Sequence, residues 1–314
     1  MNIDDIKEAS KRISCVVKNT ALIESNISCG CKLFLKPENL QVTGSFKIRG
    51  AFNKMSLLTA SEKEKGIIAC SAGNHAQGVA LTAQKMGIKA IICMPKSAPK
   101  VKIDSTIKYG AKVVFVDGTY DDSYEEALKL KEEYGYTFVH PFNDEDVMKG
   151  QGTIGLEIMN ELNDADIVVC SIGGGGLISG VSLAVKEINP NVKVYGIQAH
   201  NAPSMYASLA KGYVTKIHKG KTIADGINVK EVANETLMYT EKYVDDVITV
   251  TEEEIIKAIK KLYEEDHLVV EGAGAATVAG VLANKIPNIN NKKVVCVLSG
   301  GNIDEELFNK IIRR

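Results

Sequence analysis

The chain has no excess of either charge. Its 38 Lys and Arg stand against 39 Asp and Glu, a formal net charge of −1 over 314 residues. The two signs are mixed along its length, so the electrostatic footprint of a nucleic-acid or anionic-membrane partner is missing. No apolar run approaches the ~20 residues that span a bilayer. The start, MNIDDIKEASKRISCVV, has acidic residues where a secretory signal has basic ones, and it predicts an amphipathic helix and a cytoplasmic protein. No low-complexity segment interrupts a composition that is 45% hydrophobic and 25% charged, which excludes disorder. Metal ligands are sparse: Cys29 and Cys31 form a C-x-C with no second pair nearby, and the five histidines are scattered. Neither zinc nor another catalytic transition metal is expected. Of the seven cysteines, Cys70, Cys93, Cys170 and Cys296 each sit at the end of an apolar run, the placement of small buried hydrophobes in a reducing compartment.

What is present is alternation. Short β-branched runs, GIIAC (66–70), AIICM (90–94), KVVFV (112–116), DIVVCSI (166–172), VKVYGI (192–197), VDDVITV (244–250) and KKVVCVL (292–298), are separated by segments of helical period at 74–86, 123–134, 177–188 and 251–265. Thr251 and Glu254 form a capping box at the start of the last of these. Continuous apolar strands between helices mean parallel sheets covered on both faces, an open α/β architecture. The length suits two domains. The first units occupy about 50–145, and a polar loop around 143–151 is expected to separate them from the rest. Ligands in such sheets gather at the carboxyl ends of the strands.

Four stretches at such positions carry chemistry. In SIGGGGLISG a strand runs into Gly173, Gly174, Gly175 and Gly176 and then a helix, which aims several N–H groups and the positive helix end at one anion. A ligand-free turn is the plain alternative, but each glycine costs about 1 kcal/mol in regular structure. NAD is disfavoured because Gln198, not an acidic residue, ends the following strand. In TGSFKIRGA, Lys47 stands at a predicted helix start beside Phe46 and Arg49; an apolar pocket, a helix N-terminus and a second cation each lower a lysine pKa, though a surface lysine is the ordinary case. In CSAGNHAQG, Ser71, Gly73, Asn74 and His75 open a helix and offer a carboxylate site or, equally, a simple N-cap. In VLSGGNID, Ser299 ends the last apolar strand. Taken together these are the parts needed to hold pyridoxal phosphate and an amino acid.

The stretches ENLQVTGSFKIRGAFNK, SAGNHAQGVAL, GQGTIGLEIM, GGGGLISG, IADGI, EGAGA and LSGGNID, in this order over nearly the whole chain, resemble the fold type II pyridoxal-phosphate enzymes, and specifically the short threonine/serine dehydratases. The resemblance implies two open parallel-sheet domains of the tryptophan synthase β-like architecture: a larger one from 1–48 and 146–314 and a smaller, mobile one from 49–145. It implies that Lys47 bonds covalently to pyridoxal phosphate with Phe46 beside the ring, that Asn74 meets the ring hydroxyl, that Gly173, Gly174, Gly175 and Gly176 cradle the phosphate, and that Ser299 meets the ring nitrogen. Ser71, Gly73, Asn74 and His75 would line the substrate carboxylate site, and Gly226 and Glu271 would approach the cofactor. The implied reaction is elimination from L-threonine and L-serine to 2-oxobutanoate or pyruvate and ammonia. A homodimer or homotetramer and an AMP effector also follow from the resemblance.

Serine racemase and 3-hydroxyaspartate dehydratase are the alternatives within the family. Racemases of this kind carry a second serine in the carboxylate loop, where this chain has Ala72 after Ser71. Relatives with a divalent-cation site carry acidic ligands where this chain has Gln198, Ala202 and Ser204, so no magnesium is expected there. A silent ligand sensor, the reading from another class, needs no Lys47. The end at Arg314 leaves no room for the regulatory domain of long biosynthetic dehydratases.

Overall fold

The computed structural model describes residues 1–98, 100–218 and 220–313. Its strands are β1 (Ile23–Glu24), β2 (Lys32–Lys36), β3 (Ile67–Cys70), β4 (Ala90–Pro95), β5 (Lys112–Val116), β6 (Thr137–Phe138), β7 (Ile167–Ser171), β8 (Lys193–Ala199), β9 (Asp246–Val250) and β10 (Lys293–Val297). They form a six-stranded sheet in the order β1-β2-β10-β7-β8-β9 and a four-stranded sheet in the order β5-β4-β3-β6. Every pairing is parallel except that of β1 with β2. All seven apolar runs are strands, which gives the open α/β architecture expected.

Both faces of each sheet are covered, as continuous apolar strands require. Along β7, Ile167 and Val169 pack with Ile255, Ala258 and Val278 on one side, while Val168 and Cys170 pack with Ile154, Ile158 and Val181 on the other. In the smaller sheet Ile67 and Ala69 meet Ala76, Val79 and Ala80 of the Asn74–Met86 helix; Ile68 and Cys70 face Ala127 instead. The amphipathic N-terminal helix spans Ile3–Ile13 behind an Asn2 capping box, and Thr251 caps the Glu252–Asp266 helix as its capping box predicts. Among the described residues no helix is long and apolar enough to cross a membrane.

The polar loop expected at 143–151 is a helix instead, Glu145–Glu161, capped by Asp144, whose side chain accepts from the N–H groups of Asp146 and Val147. Its glycines are contact points. A Cβ on Gly150 would lie 2.5 Å from the Arg49 carbonyl oxygen, and one on Gly155 2.7 Å from that of Val181. They let this helix lie against Lys47–Ser56 on one side and Gly176–Ile188 on the other. The strand β2 and the two-residue strands β1 and β6 were not expected from the sequence.

Candidate active site

Four strand ends open on one cleft of about 1070 Å³. β3 runs into Ser71, Gly73 and the helix that begins at Asn74; β6 is followed by residues 140–143; β7 runs into the four glycines; and β10 ends just before Ser299. Phe46, Lys47, Ser71, Gly73, Asn74, His75, Gly173, Gly174, Gly175, Gly176, Gly226, Glu271 and Ser299 all border this cleft.

Lys47 is the first residue of its helix, and its Nζ donates to the carbonyl oxygen of Pro141 at 2.9 Å, 5.1 Å from the centre of the Phe46 ring. Burial pulls its pKa down from 10.5 to about 8, against the opposing pull of Glu271. Arg49, expected to help as a neighbouring cation, is instead occupied by Glu38 and Glu157, which neutralise it. Glu271 is itself pushed up to about 7, by burial and then by Asp225. The cleft therefore contains an amine that sheds its proton close to neutral pH.

The glycine turn is tight for a visible reason. Gly175 has φ +98°, and a Cβ on Gly174 would fall 2.3 Å from the Phe142 ring. Among the described residues no hydrogen bond uses the N–H groups of Gly173, Gly174 or Gly175. Free donors at the start of the Gly176–Ile188 helix make an anion cup. Because Pro141 receives Lys47 and the next residue, Phe142, lies on Gly174, amine and cup meet across one short segment.

Asn74 donates to Glu271 Oε1 at 2.7 Å and accepts from Asn302 at 2.7 Å. The His75 ring is buried, with Nε2 2.8 Å from the Val139 carbonyl oxygen, and burial followed by Lys47 lowers its pKa to about 3. A carbonyl only accepts, so a hydrogen sits on Nε2, and the lowered pKa keeps the ring neutral. Ser299 is buried and its hydroxyl accepts from Ser171 Oγ at 3.4 Å. Gln198 donates to the Ile172 carbonyl and accepts from the Tyr206 N–H, so it braces the glycine turn. Among the described residues no group of three or more His, Cys, Asp or Glu is placed to hold a metal ion.

Sequence reasoning missed Tyr120, His140, Phe142, Ser171 and Asp225, which also border the cleft. His140 accepts from the N–H groups of Phe142 (3.2 Å) and Asn143 (2.7 Å) at Nδ1, and burial, then Lys47, hold its pKa near 4. Its hydrogen is therefore on Nε2. The available signal was HPFN directly after an extended segment, a strand-end position.

The family described as "Pyridoxal-phosphate dependent enzyme" matches residues 13–300. An L-threonine ammonia-lyase of Thermotoga maritima is 51% identical over 317 residues, covering 100% of this chain and 79% of that one. The catabolic L-threonine dehydratase of Escherichia coli (strain K12) is 45% identical over 313 residues, 98% of this chain and 95% of that one. Among solved structures, maize serine racemase superposes with a TM-score of 0.94 at 34% identity, covering 99% of this chain and 97% of that one.

Proposed function

The chain belongs to the pyridoxal-phosphate dependent enzymes, in the catabolic threonine/serine dehydratase branch of fold type II, and from that premise we propose how its own residues turn L-threonine into 2-oxobutanoate and ammonia, and L-serine into pyruvate and ammonia. The observation that carries the proposal is Lys47, a buried amine whose pKa is pulled down to about 8, across one short segment from a cup of free N–H groups.

The residues present fit the cofactor. Side chains are sterically barred at Gly174 and Gly176, where a Cβ would lie 2.3 Å from the ring and 2.9 Å from the backbone of Phe142, which leaves the amide donors exposed to a phosphate. Bound pyridoxal phosphate supplies an aldehyde that links covalently to an amine and a conjugated ring that takes up the electron pair released at the adjacent carbon. Gly173, Gly174, Gly175 and Gly176 would hold its phosphate, Asn74 its ring hydroxyl and Ser299 its ring nitrogen, with Phe46, Gly226 and Glu271 bordering them. Lys47 Nζ is the attachment point. Its neutral amine would be the base that takes the substrate's α-proton, and the Pro141 carbonyl would steady the ammonium it becomes. The Ser71 hydroxyl and the N–H groups opening the Asn74–Met86 helix hold the substrate carboxylate. Because Ser299 is neutral, it does not protonate the ring nitrogen, which favours loss of the β-hydroxyl over transamination.

Residues 49–145 act in this proposal as a smaller domain that closes on 1–48 and 146–314 and excludes water. A dimer or tetramer, a response to AMP and a cytoplasmic setting belong to the same reading; sedimentation with and without AMP tests the first two. Ala72 offers no proton on the opposite face, so serine racemisation is slow. The deciding experiment compares ketoacid release from L-threonine, L-serine, D-serine and 3-hydroxyaspartate. L-threonine and L-serine are the expected substrates; conversion of L-serine to D-serine without ketoacid would reverse the assignment.

A further inference from the structure

An amide has two unlike ends, so Asn74 can either give or take a hydrogen bond in the cleft. Nothing in its own backbone settles which. The deciding contact is Asn302, whose Nδ2 donates at 2.9 Å to the carbonyl oxygen of Thr43 and at 2.7 Å to Oδ1 of Asn74. A backbone carbonyl only accepts, so Thr43 fixes Asn302 with its NH2 toward both neighbours. The second hydrogen then fixes Asn74 with Oδ1 toward Asn302. Asn74 Nδ2 is left on the other side, donating to Glu271 Oε1 at 2.7 Å.

The chain is walled in at both ends. A Cβ on Gly44, where φ is +68°, would lie 2.5 Å from Asn302 Oδ1, and one on Gly300 2.5 Å from Glu271 Oε1. Glu271 cannot set the direction alone. Pushed up to about 7 by burial, it exists in both protonation states near neutrality, and a protonated carboxyl donates as readily as it accepts.

We infer that Asn302 is a positioning residue: it passes the fixed polarity of the Thr43 carbonyl to Asn74, so that Asn74 meets the cofactor's ring oxygen as a hydrogen-bond donor. This rests on the assignment of Asn74 to the ring hydroxyl made above. Asn302 never touches the cofactor and acts only through the orientation of its neighbour.

The test compares the parent chain with N302D and N302A, each stripped and reloaded with pyridoxal phosphate. Three quantities are read: thermal melting, cofactor dissociation constant by equilibrium dialysis, and the absorption spectrum of the bound cofactor. N302D has the same shape but cannot donate, so Asn74 turns over and presents oxygen to oxygen. The expected result is about tenfold weaker cofactor binding and an altered visible spectrum, with a smaller change of the same sign in N302A. A merely structural residue would lower the melting temperature and leave the spectrum and affinity of the folded holoenzyme at parental values; that result overturns the inference while the active-site reading stands. If N302D gives no cooperative melt, N302A decides on the same two readouts. A parent chain that binds no cofactor overturns the active-site reading and this inference with it.

Discussion

Lys47 and Arg49 stand two residues apart at the start of one helix, the first half-buried on the cleft and the second fully buried, and they are held in opposite ways. The Arg49 guanidinium meets Glu38 through Nε and Nη2, each at 2.8 Å, and Glu157 through Nη1 and Nη2 at 2.6 and 2.9 Å, with Thr153 as a further acceptor at 3.0 Å. Burial alone would raise the Glu38 carboxyl, and Arg49 more than reverses it, holding Glu38 below the usual carboxylate range. Lys47 has one neutral carbonyl, and the acid that pulls on it, Glu271, is pushed up to about 7. The number of charged partners decides which buried cation is scaffold and which is reagent: a fully paired charge stays a charge, whereas an unpaired one is driven toward its neutral, nucleophilic form.

The largest effect should separate the two in function. K47A is expected to lower ketoacid release from L-threonine by ~10³-fold or more, about 4 kcal/mol of barrier, while the melting temperature of the cofactor-free chain holds or rises slightly because a desolvated amine is gone. A variant that keeps parental turnover would end the comparison. Next in size is the reverse case. R49A leaves Glu38 buried without its ion-pair partner and Glu157 with Lys36 alone, and a destabilisation of about 3–5 kcal/mol is expected in urea titration. A loss well under 1 kcal/mol would mean that Lys36, already 2.7 Å from Glu157, compensates the carboxylates without the arginine.

The same contrast runs through what the sequence could reveal. β3 and β7, with every residue buried, are legible because a strand covered on both faces has no polar alternation to blur it. β1 and β6 are two residues long, too short for any period to register. The first turns of the Glu145–Glu161 helix were misread as a loop because they are polar, and the close helix contacts at Gly150, Gly152 and Gly155 reside in the partner helices and not in the segment itself. At the site, Lys47, Asn74, the glycine turn and Ser299 each lie at a strand or helix end with its own compositional mark. His140 and Phe142 come from one loop and Asp225 from another, and they meet only in the folded chain. The Arg49 network is hidden in the same way, since Glu38 and Glu157 are 11 and 108 residues distant in sequence.

A smaller effect tests the anion cup beside Lys47. In G174A the new Cβ falls 2.3 Å from the Phe142 ring, so either the ring or the turn must shift. Overpacking of this kind costs about 1–3 kcal/mol, and cofactor affinity measured by dialysis should fall with it. The double variant G174A/F142A relieves the clash and should recover the stability but not all of the affinity, since the turn still carries a methyl group where donors face the phosphate.

The smallest effect is in pH. Lys47 titrates near 8 in the folded chain and near 10.5 when unfolded. Below about 8 the amine is charged in both states and the folded form carries the cost of burying it. Above about 10.5 it is neutral in both. Between these limits the unfolded chain binds more protons, so the Lys47 contribution to stability rises with pH. Urea titrations across this window should show that rise in the parent chain and a flatter profile in K47A. Glu271 works against the depression of Lys47, so E271Q should move the midpoint for capture of the aldehyde by the cofactor-free chain to lower pH. A midpoint that moves upward would place the neutralising influence on Glu271 instead of on burial, and the distinction between Lys47 and Arg49 would then rest on the arginine alone.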